Sequence, residues 1–418
     1  MTAVAAVIAV MISVIYSVWL IKYLTRIEHK IFYETAERYR LNVFPTTFFS
    51  NVIMRGRYHK KRIKIKSVKR KGRSYLKVII DFRSSFPGNF SVENEHFLSF
   101  LKFTEDKNIG ESEFDSRYLL SGGSDIAITA ISSFDFRRYI NDLNEICKYF
   151  KISNNKVEAE VEKTKINSSQ DLDNVIEHCL KIVNEINRPD DIRKRLIENS
   201  RFDPNRKVQA ANLKMLHENY KEDSEIAALI DEIKNYEIPQ DRILAAPYLG
   251  EEGMMMALGI LENEKLDNES VCDAVKILEI QKVDSDYMIL KELLENNRDE
   301  NVIAVVIHVA GKLGLSVYEK NIFPYLDHDS KFIRELSIEA ISECGTAKSV
   351  EKLHEMMDDS MNPFSRKKYS EAIAKIQSRL GDVEKGWVSV ENTDNLDGAL
   401  SKDKNEDRGG LSVHKERK

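Results

Sequence analysis

From Thr2 to Ile21 the chain runs TAVAAVIAVMISVIYSVWLI without one charged side chain, and Lys22, Arg26 and Lys30 follow. About 20 apolar residues at ~1.5 Å per residue match the ~30 Å hydrocarbon core of a bilayer. Trp19 and Tyr23 close the run with amphipathic rings that favour the headgroup level. A cleaved signal peptide fits less well, because no Lys or Arg precedes the run and no A-x-A-like site follows it. The run predicts a transmembrane helix over residues 1–23.

Charge around the run gives it a direction. Lys22, Arg26, Lys30, Arg38 and Arg40 all lie on its carboxyl side, against Glu28, Glu34 and Glu37. The positive-inside rule then predicts a single-pass bacterial inner-membrane protein, amino terminus out and bulk of the chain cytoplasmic. Cys147, Cys179, Cys272 and Cys344 are far apart in apolar helical contexts, with no C-x-x-C pair. They read as reduced core residues rather than a disulfide framework or a metal site.

With 418 residues, 42% of them hydrophobic, the chain has enough apolar surface for two or more cores. The net charge of -5 conceals an uneven distribution. No Asp or Glu occurs between Arg38 and Ile80, and Arg55, Arg57, Lys60, Lys61, Arg62, Lys64, Lys66, Lys69, Arg70, Lys71, Arg73 and Lys77 crowd that stretch. The expected organisation is a juxtamembrane helix and linker over 24–45, a basic α+β domain over 46–187, HEAT-like helical repeats over 188–381, and a polar tail over 382–418. The fold class is thus an α+β juxtamembrane domain followed by an all-α HEAT-like solenoid.

Periodicity places the elements. Leu24 to Arg40 keeps a helical rhythm as an interfacial continuation of the anchor, ended by Asn42-Val-Phe-Pro45. Lys60 to Val68 alternates, Lys71-Gly72 marks a turn, and Ser74 to Phe82 is the return strand. Asp125 to Ile131 predicts another strand, and Phe136 to Phe150 an amphipathic helix. Lys151 to Val161 predicts a hairpin turning at Asn154-Asn155, because asparagine tolerates the left-handed conformation. Asp171 to Ile186 closes the domain as a helix with the stripe Leu172, Val175, Ile176, Cys179, Ile182, Val183 and Ile186.

Farther on, helices repeat. An offset places Asp299 on Asp329, Ile303 on Ile333, Val306 on Leu336 and Ala310 on Ala340. Further copies start near Asp203 and near Asn362-Pro363. Small residues suit close helix crossings, Asp or Asn suits the caps, and such pairs bury their apolar stripes only by stacking. In the tail, Gly386-Trp-Val-Ser389, Gly398-Ala-Leu-Ser401 and Gly409-Gly-Leu-Ser412 repeat a Gly-x-apolar-Ser unit. Such islands do not make a core; they read either as small turns or strands added to an edge or as a linker.

Gly110-Glu-Ser-Glu-Phe114-Asp115-Ser-Arg-Tyr118-Leu-Leu, followed by Gly122 and by Arg137-Arg138-Tyr-Ile-Asn-Asp-Leu143, resembles a group of uncharacterised bacterial membrane-anchored proteins. The end Ile376-Gln377-Ser-Arg379-Leu-Gly381 with its Gly-x-apolar-Ser units is similar to the tails of that group. The resemblance implies an amino-terminal helix, a compact α+β domain and carboxyl-terminal HEAT-like repeats, and it carries over no catalytic residue. Where the group has Gly-Asp before the Phe-Asp pair, this chain has Gly110-Glu111.

No Walker loop, H-E-x-x-H or G-x-S-x-G occurs. Neither a catalytic residue, a cofactor nor a metal is assigned. His308 sits on an apolar helix without a partner at ligand spacing, and His178 and Cys179 point to different helix faces. Ser121-Gly-Gly-Ser-Asp125 reads as a turn in preference to an anion loop, and Glu113 with Asp115 as part of an ordered turn in preference to an acid/base pair. The candidate lipid or anion contacts are Arg55, Arg57, Lys60, Arg62, Lys64, Lys66, Lys69, Arg70, Lys71 and Arg73. On a hairpin, Lys60, Arg62, Lys64 and Lys66 would share one face while Ile63 and Ile65 enter the core.

A solvated face without a ligand and contact with an anionic membrane surface rank ahead of nucleic acid, because no RNP-type aromatic pattern accompanies the lysines. The expected function is a membrane-anchored, non-enzymatic scaffold that binds a protein partner through its repeats. The alternative is a HEAT-like lyase acting on a bound prosthetic group, which needs convergent polar residues on the concave face.

Overall fold

Alternation in Lys61–Arg70 is realised as a strand with Ile63 and Ile65 buried and Arg62 and Lys64 exposed. This strand, β3, belongs to an eight-stranded, fully antiparallel sheet with β1 (Leu41–Phe44), β2 (Ile53–Tyr58), β4 (Arg73–Asp81), β5 (Ser91–Asn94), β6 (Tyr118–Ser121), β7 (Tyr149–Ser153) and β8 (Lys156–Glu162). The strand order is β1-β2-β3-β4-β8-β7-β5-β6. The computed structural model describes residues 30–44, 53–94, 107–263, 265–280, 288–296, 299–359, 363–383, 389–391 and 399–401, with Met11, Ser13, Ile15 and Tyr16.

Tight hairpins set the register. His59 and Lys60 turn β2 into β3 with φ of 45° and 65°, and Lys71 and Gly72 turn β3 into β4 with φ of 45° and 79°. Two successive positive φ values match the right-handed twist of the flanking strands. The expected turn at Asn154-Asn155 joins β7 to β8, but neither asparagine adopts positive φ. Its amides bond instead to Asn89 (3.1 Å) and Ser153 (3.2 Å).

One face of the sheet is covered by helices. Residues 30–38 form α1, and Ser169–Ile186 forms α5. The predicted stripe of α5, from Leu172 to Ile186, is fully buried against Ile65, Val78, Ile80, Val157 and Val161. A capping box at Ser168 and Asp171 starts the helix. Helix α2 is Ser112–Arg117, α3 is Asp125–Ile131, and α4 is Phe134–Ile146, whose Phe136, Ile140 and Leu143 join the same core.

Three sequence expectations are corrected in this region. Residues 125–131 form the helix α3 rather than a strand. A short apolar run does not distinguish the two by periodicity; here Gly122 and Gly123 turn at positive φ, Ser124 caps the helix by accepting from the Ala127 N–H, and every residue from Ala127 to Ile131 is buried. Second, α1 is not an interfacial helix. Ile31, Phe32 and Ala36 are buried in the α+β core, Arg38 pairs with the buried Asp173, and Tyr39 donates to the Asp173 carbonyl (3.5 Å). The apolar face that suggested a membrane surface is used up by α5 and the sheet.

Third, the transmembrane anchor over 1–23 and the inner-membrane, N-out assignment built on it are overturned. Among the described residues no helix is long and apolar enough to cross a membrane. Of the apolar run Met11, Ser13, Ile15 and Tyr16 are described and are helical, and the rest of residues 1–23 lie outside the described residues.

Beyond α5 come α6 (Ile192–Phe202), α7 (Arg206–Tyr220) and α8 (Ser224–Lys234). The chain divides into two compact units, residues 1–229 and 230–418, with the division inside α8. Helices α6 and α7 belong to the first unit for a visible reason. Arg195 on α6 donates to the carbonyls of Glu185, Ile186 and Arg188 at the end of α5, and α3 packs on both helices. The Asp203 copy of the repeat pattern therefore sits with the sheet.

The second unit is helical: α9 (Pro239–Arg242), α10 (Glu251–Asn263), α11 (Asn268–Ile280), α12 (Met288–Asn296), α13 (Glu300–Lys312), α14 (Glu319–Ile322), α15 (Lys331–Cys344), α16 (Ala347–Asp359) and α17 (Pro363–Val383). Helices α11, α13, α15 and α17 neighbour one another in succession, while α12 packs on α13 and α16 on α17. The aligned Ile303 and Ile333, and Ala310 and Ala340, are all buried. Asp299 caps α13 as its spacing suggests, accepting from the N–H groups of Asn301 (2.9 Å) and Val302 (3.2 Å). Its counterpart Asp329 does not cap; Ser330 holds that position in α15. In the tail, β9 (Ser389–Glu391) and β10 (Ala399–Ser401) pair antiparallel, with Val390 opposite Leu400. The Gly409 unit lies outside the described residues.

Candidate interaction surfaces

The face of the sheet away from α4 and α5 carries the sequence-predicted cations, and register decides which of them act together. Arg55 lies opposite Lys64 and Arg57 opposite Arg62 across β2 and β3, with Lys66 next along β3. Arg55, Arg57, Arg62 and Lys64 are exposed and Lys66 is half-buried. None of these five side chains forms an ion pair with a described residue. The Arg55 guanidinium lies over the Phe44 ring, 4.4 Å from its centroid, a contact that orients the cation without neutralising it.

The other predicted residues stand apart from this strip. Lys60 lies in the β2–β3 turn and Lys71 in the β3–β4 turn, so Lys60 does not continue the face of Arg62. Lys69 is exposed at the end of β3, on the opposite alternation. Arg70 and Arg73 are neutralised: Arg70 meets Glu160 at 2.6–2.9 Å and Arg73 meets Glu162 at 3.2 Å. Lys77 pairs with both Glu158 (2.7 Å) and Glu160 (3.3 Å). The Glu158 carboxyl is partly desolvated, which alone would raise its pKa, yet hydrogen bonds from Lys156 and Lys77 hold it below the usual carboxylate range. The β8 acids thus cancel the β4 side of the basic region and leave the β2–β3 side charged.

Beside the strip, a polar pocket of about 190 Å³ opens on the same face. Arg70, Lys77, Tyr149, Lys151, Glu93 and Glu160 are among its lining residues. Arg70 stacks over the Tyr149 ring at 5.4 Å, and Tyr149 packs on Tyr75 at 5.7 Å. Sequence reasoning missed Tyr149 because β7 reaches this face only through its pairing with β8. The alternation in Lys156–Glu162 was a legible signal for the acids, but not for their pairing with β4.

The motif behind the family resemblance has structural work. Asp115 accepts from the N–H groups of Ile109 and Gly110, both at 3.1 Å. Glu111 pairs with Arg137, whose guanidinium also binds Asp203 through two bonds of 2.8 and 2.9 Å and donates to the Ser132 carbonyl (2.6 Å). Burial disfavours the Arg137 charge, but the Asp203 and Glu111 carboxylates outweigh it and raise the pKa. Phe114 and Tyr118 are buried together, and Tyr118 donates to Asn141 (2.7 Å). Glu113 is exposed and pairs with Arg117. Glu113 and Asp115 are therefore engaged in turn and helix contacts rather than facing one another as an acid/base pair.

In the second unit, α15 and α17 enclose a groove of about 380 Å³. Phe332, Leu336, Glu335, Glu339 and Lys368 are among its lining residues, and Phe332 is 66% exposed. Lys368 pairs with Glu335 (2.8 Å), whereas Glu339 forms no ion pair with a described residue. His308 lies 3.7 Å from Glu279, and His178 bonds to the Asn174 carbonyl on its own helix. Among the described residues no group of His, Cys, Asp and Glu could hold a metal. All four cysteines are buried, and desolvation pushes the Cys147 thiol up to about 12 and raises that of Cys179 well above its ordinary value. No family model matches the chain, and no curated protein matches it significantly.

Proposed function

We propose that the protein is a non-enzymatic scaffold whose carboxyl-terminal helices act as a HEAT-like array that binds a protein partner. The observation that supports this is the α15–α17 groove. It combines an exposed aromatic ring, Phe332, with the partly buried Leu336 and with Glu339, which forms no ion pair among the described residues. Apolar side chains in a groove flanked by a carboxylate suit an amphipathic helix with basic flanks. Stacked helices offer extended surfaces of this kind.

Affinity purification of the full chain, of Phe332→Asp and of Glu339→Lys tests the assignment. Proteins that copurify with the full chain and fall away with Phe332→Asp, and weaken with Glu339→Lys, support it. An unchanged set of copurifying proteins in both variants refutes it, since neither exposed substitution touches the core.

A further inference from the structure

We infer that the outer face of β2 and β3 binds the phosphate backbone of a single-stranded nucleic acid, with a base seated against Tyr149 in the adjoining pocket. This surface lies in the first unit and is independent of the α15–α17 groove. The inference starts from charge that the fold leaves unneutralised. Arg55, Arg57, Arg62, Lys64 and Lys66 form a two-strand strip without a described carboxylate partner, while Arg70, Arg73 and Lys77 are each satisfied by β8. Alternate residues on a strand are about 7 Å apart and neighbouring strands about 4.8 Å. A rigid row of cations at that step is comparable with successive phosphates of an extended strand.

Three of the five cations are arginines, whose planar donors suit phosphate oxygens. Arg55 is already held over Phe44. The aromatic group missing from the lysine-rich segment comes from elsewhere in the chain. Tyr149 on β7 is half-buried, braced by Tyr75 and Arg70, and lines a pocket with Glu93 and Lys151, which pair with each other (2.6 Å), with Asn94, which bonds to the Lys148 and Phe150 backbone, and with Glu158 and Glu160. Cations that track a backbone beside an aromatic platform are the general means of holding single strands. A lipid surface fits this face less well. The Phe44 ring is 37% exposed but carries the Arg55 guanidinium 4.4 Å from its centroid, and Ile79, opposite Lys64, is only 7% exposed. Phe44 is the single exposed large apolar side chain described on the strip, fewer than a membrane-inserting face presents.

Fluorescence anisotropy of a labelled 20-nucleotide single-stranded DNA with the full chain tests the inference. Each neutralised phosphate contributes about -0.7 to the slope of log K against log salt. Five contacts predict a slope of about -3.5, or roughly a 100-fold loss of affinity between 50 and 200 mM salt. The triple variant Arg55→Gln, Arg57→Gln, Lys64→Gln should reduce the slope to about -1.4, a loss of only about 7-fold over the same range. Tyr149→Ala should weaken binding by about 10-fold at constant slope, and Tyr149→Phe should restore it. The triple lysine variant at Arg55, Arg57 and Arg62 should keep the slope, which separates charge from folding. An unchanged slope in the triple glutamine variant overturns the inference. So does competition by phosphatidylserine vesicles or polyglutamate at equal charge, which would assign the strip to a membrane or to an acidic protein.

Discussion

Gly311 and Gly259 both sit inside helices of the second unit, yet alanine at the two positions should move stability in opposite directions. Propensity alone favours alanine over glycine in a helix interior by about 0.5–1 kcal/mol. At Gly259 on α10 a new Cβ meets nothing within 4 Å. Gly259→Ala should therefore stabilise by about that amount. At Gly311 on α13 a Cβ would lie 2.7 Å from the Ala340 Cα and 2.8 Å from its Cβ on α15. Ordinary contact needs about 3.5–4.0 Å, so the helices would have to separate by about 1 Å. The atoms in the way are backbone or attached to it, and no rotamer relieves them. Overpacking of this kind costs about 1–3 kcal/mol, which exceeds the propensity gain. Gly311→Ala should be net destabilising by about 1–2 kcal/mol. Guanidinium unfolding followed by far-ultraviolet circular dichroism reads both variants on the transition of one unit. A gain in stability for Gly311→Ala equal to that for Gly259→Ala would refute the close crossing and the helix stacking built on it.

Arg137→Met should destabilise the first unit by about 3–5 kcal/mol, because it leaves the fully buried Asp203 carboxylate uncompensated; hydrogen exchange in α4, α6 and α7 measures it, and unchanged protection would contradict the buried-pair account. Lys71→Asn should stabilise by about 0.5–1 kcal/mol, since Lys71 holds a φ of 45° before Gly72 and asparagine tolerates that conformation better; thermal unfolding that shows no gain would count against the turn assignment. Glu158 has a folded pKa below its unfolded value, so its contribution is complete above the unfolded carboxylate pKa of about 4.3 and is lost as pH falls through the folded pKa. Glu158→Gln should therefore flatten the acid limb of stability against pH, and an equally steep limb in the variant would show that the Lys77 and Lys156 pairs do not matter there.

Local periodicity made much of the first unit legible. The alternation around Ile63 and Ile65 specified a two-faced strand, and the three- and four-residue steps from Leu172 to Ile186 specified a buried helical stripe. Both signals depend only on where successive side chains point. The same kind of signal failed at Asp125–Ile131, where a short run buried on all sides carries no period and the Ser124 cap and its tertiary surroundings chose the helix. It also failed at α1, whose apolar face looked like a membrane contact until α5 and Asp173 were beside it.

The basic region shows most clearly what sequence and tertiary structure each decided. Sequence alone determined that twelve cations would crowd Arg55 to Lys77 without an acid among them: Arg55, Arg57, Lys60, Lys61, Arg62, Lys64, Lys66, Lys69, Arg70, Lys71, Arg73 and Lys77. Only strand pairing decided which would remain charged. The β4–β8 register brings Glu158, Glu160 and Glu162 across some 80–90 residues to Lys77, Arg70 and Arg73, and leaves Arg55, Arg57, Arg62, Lys64 and Lys66 beyond their reach. Charge on a strand is a local property, but its neutralisation depends on neighbours about 5 Å away that can come from anywhere in the chain.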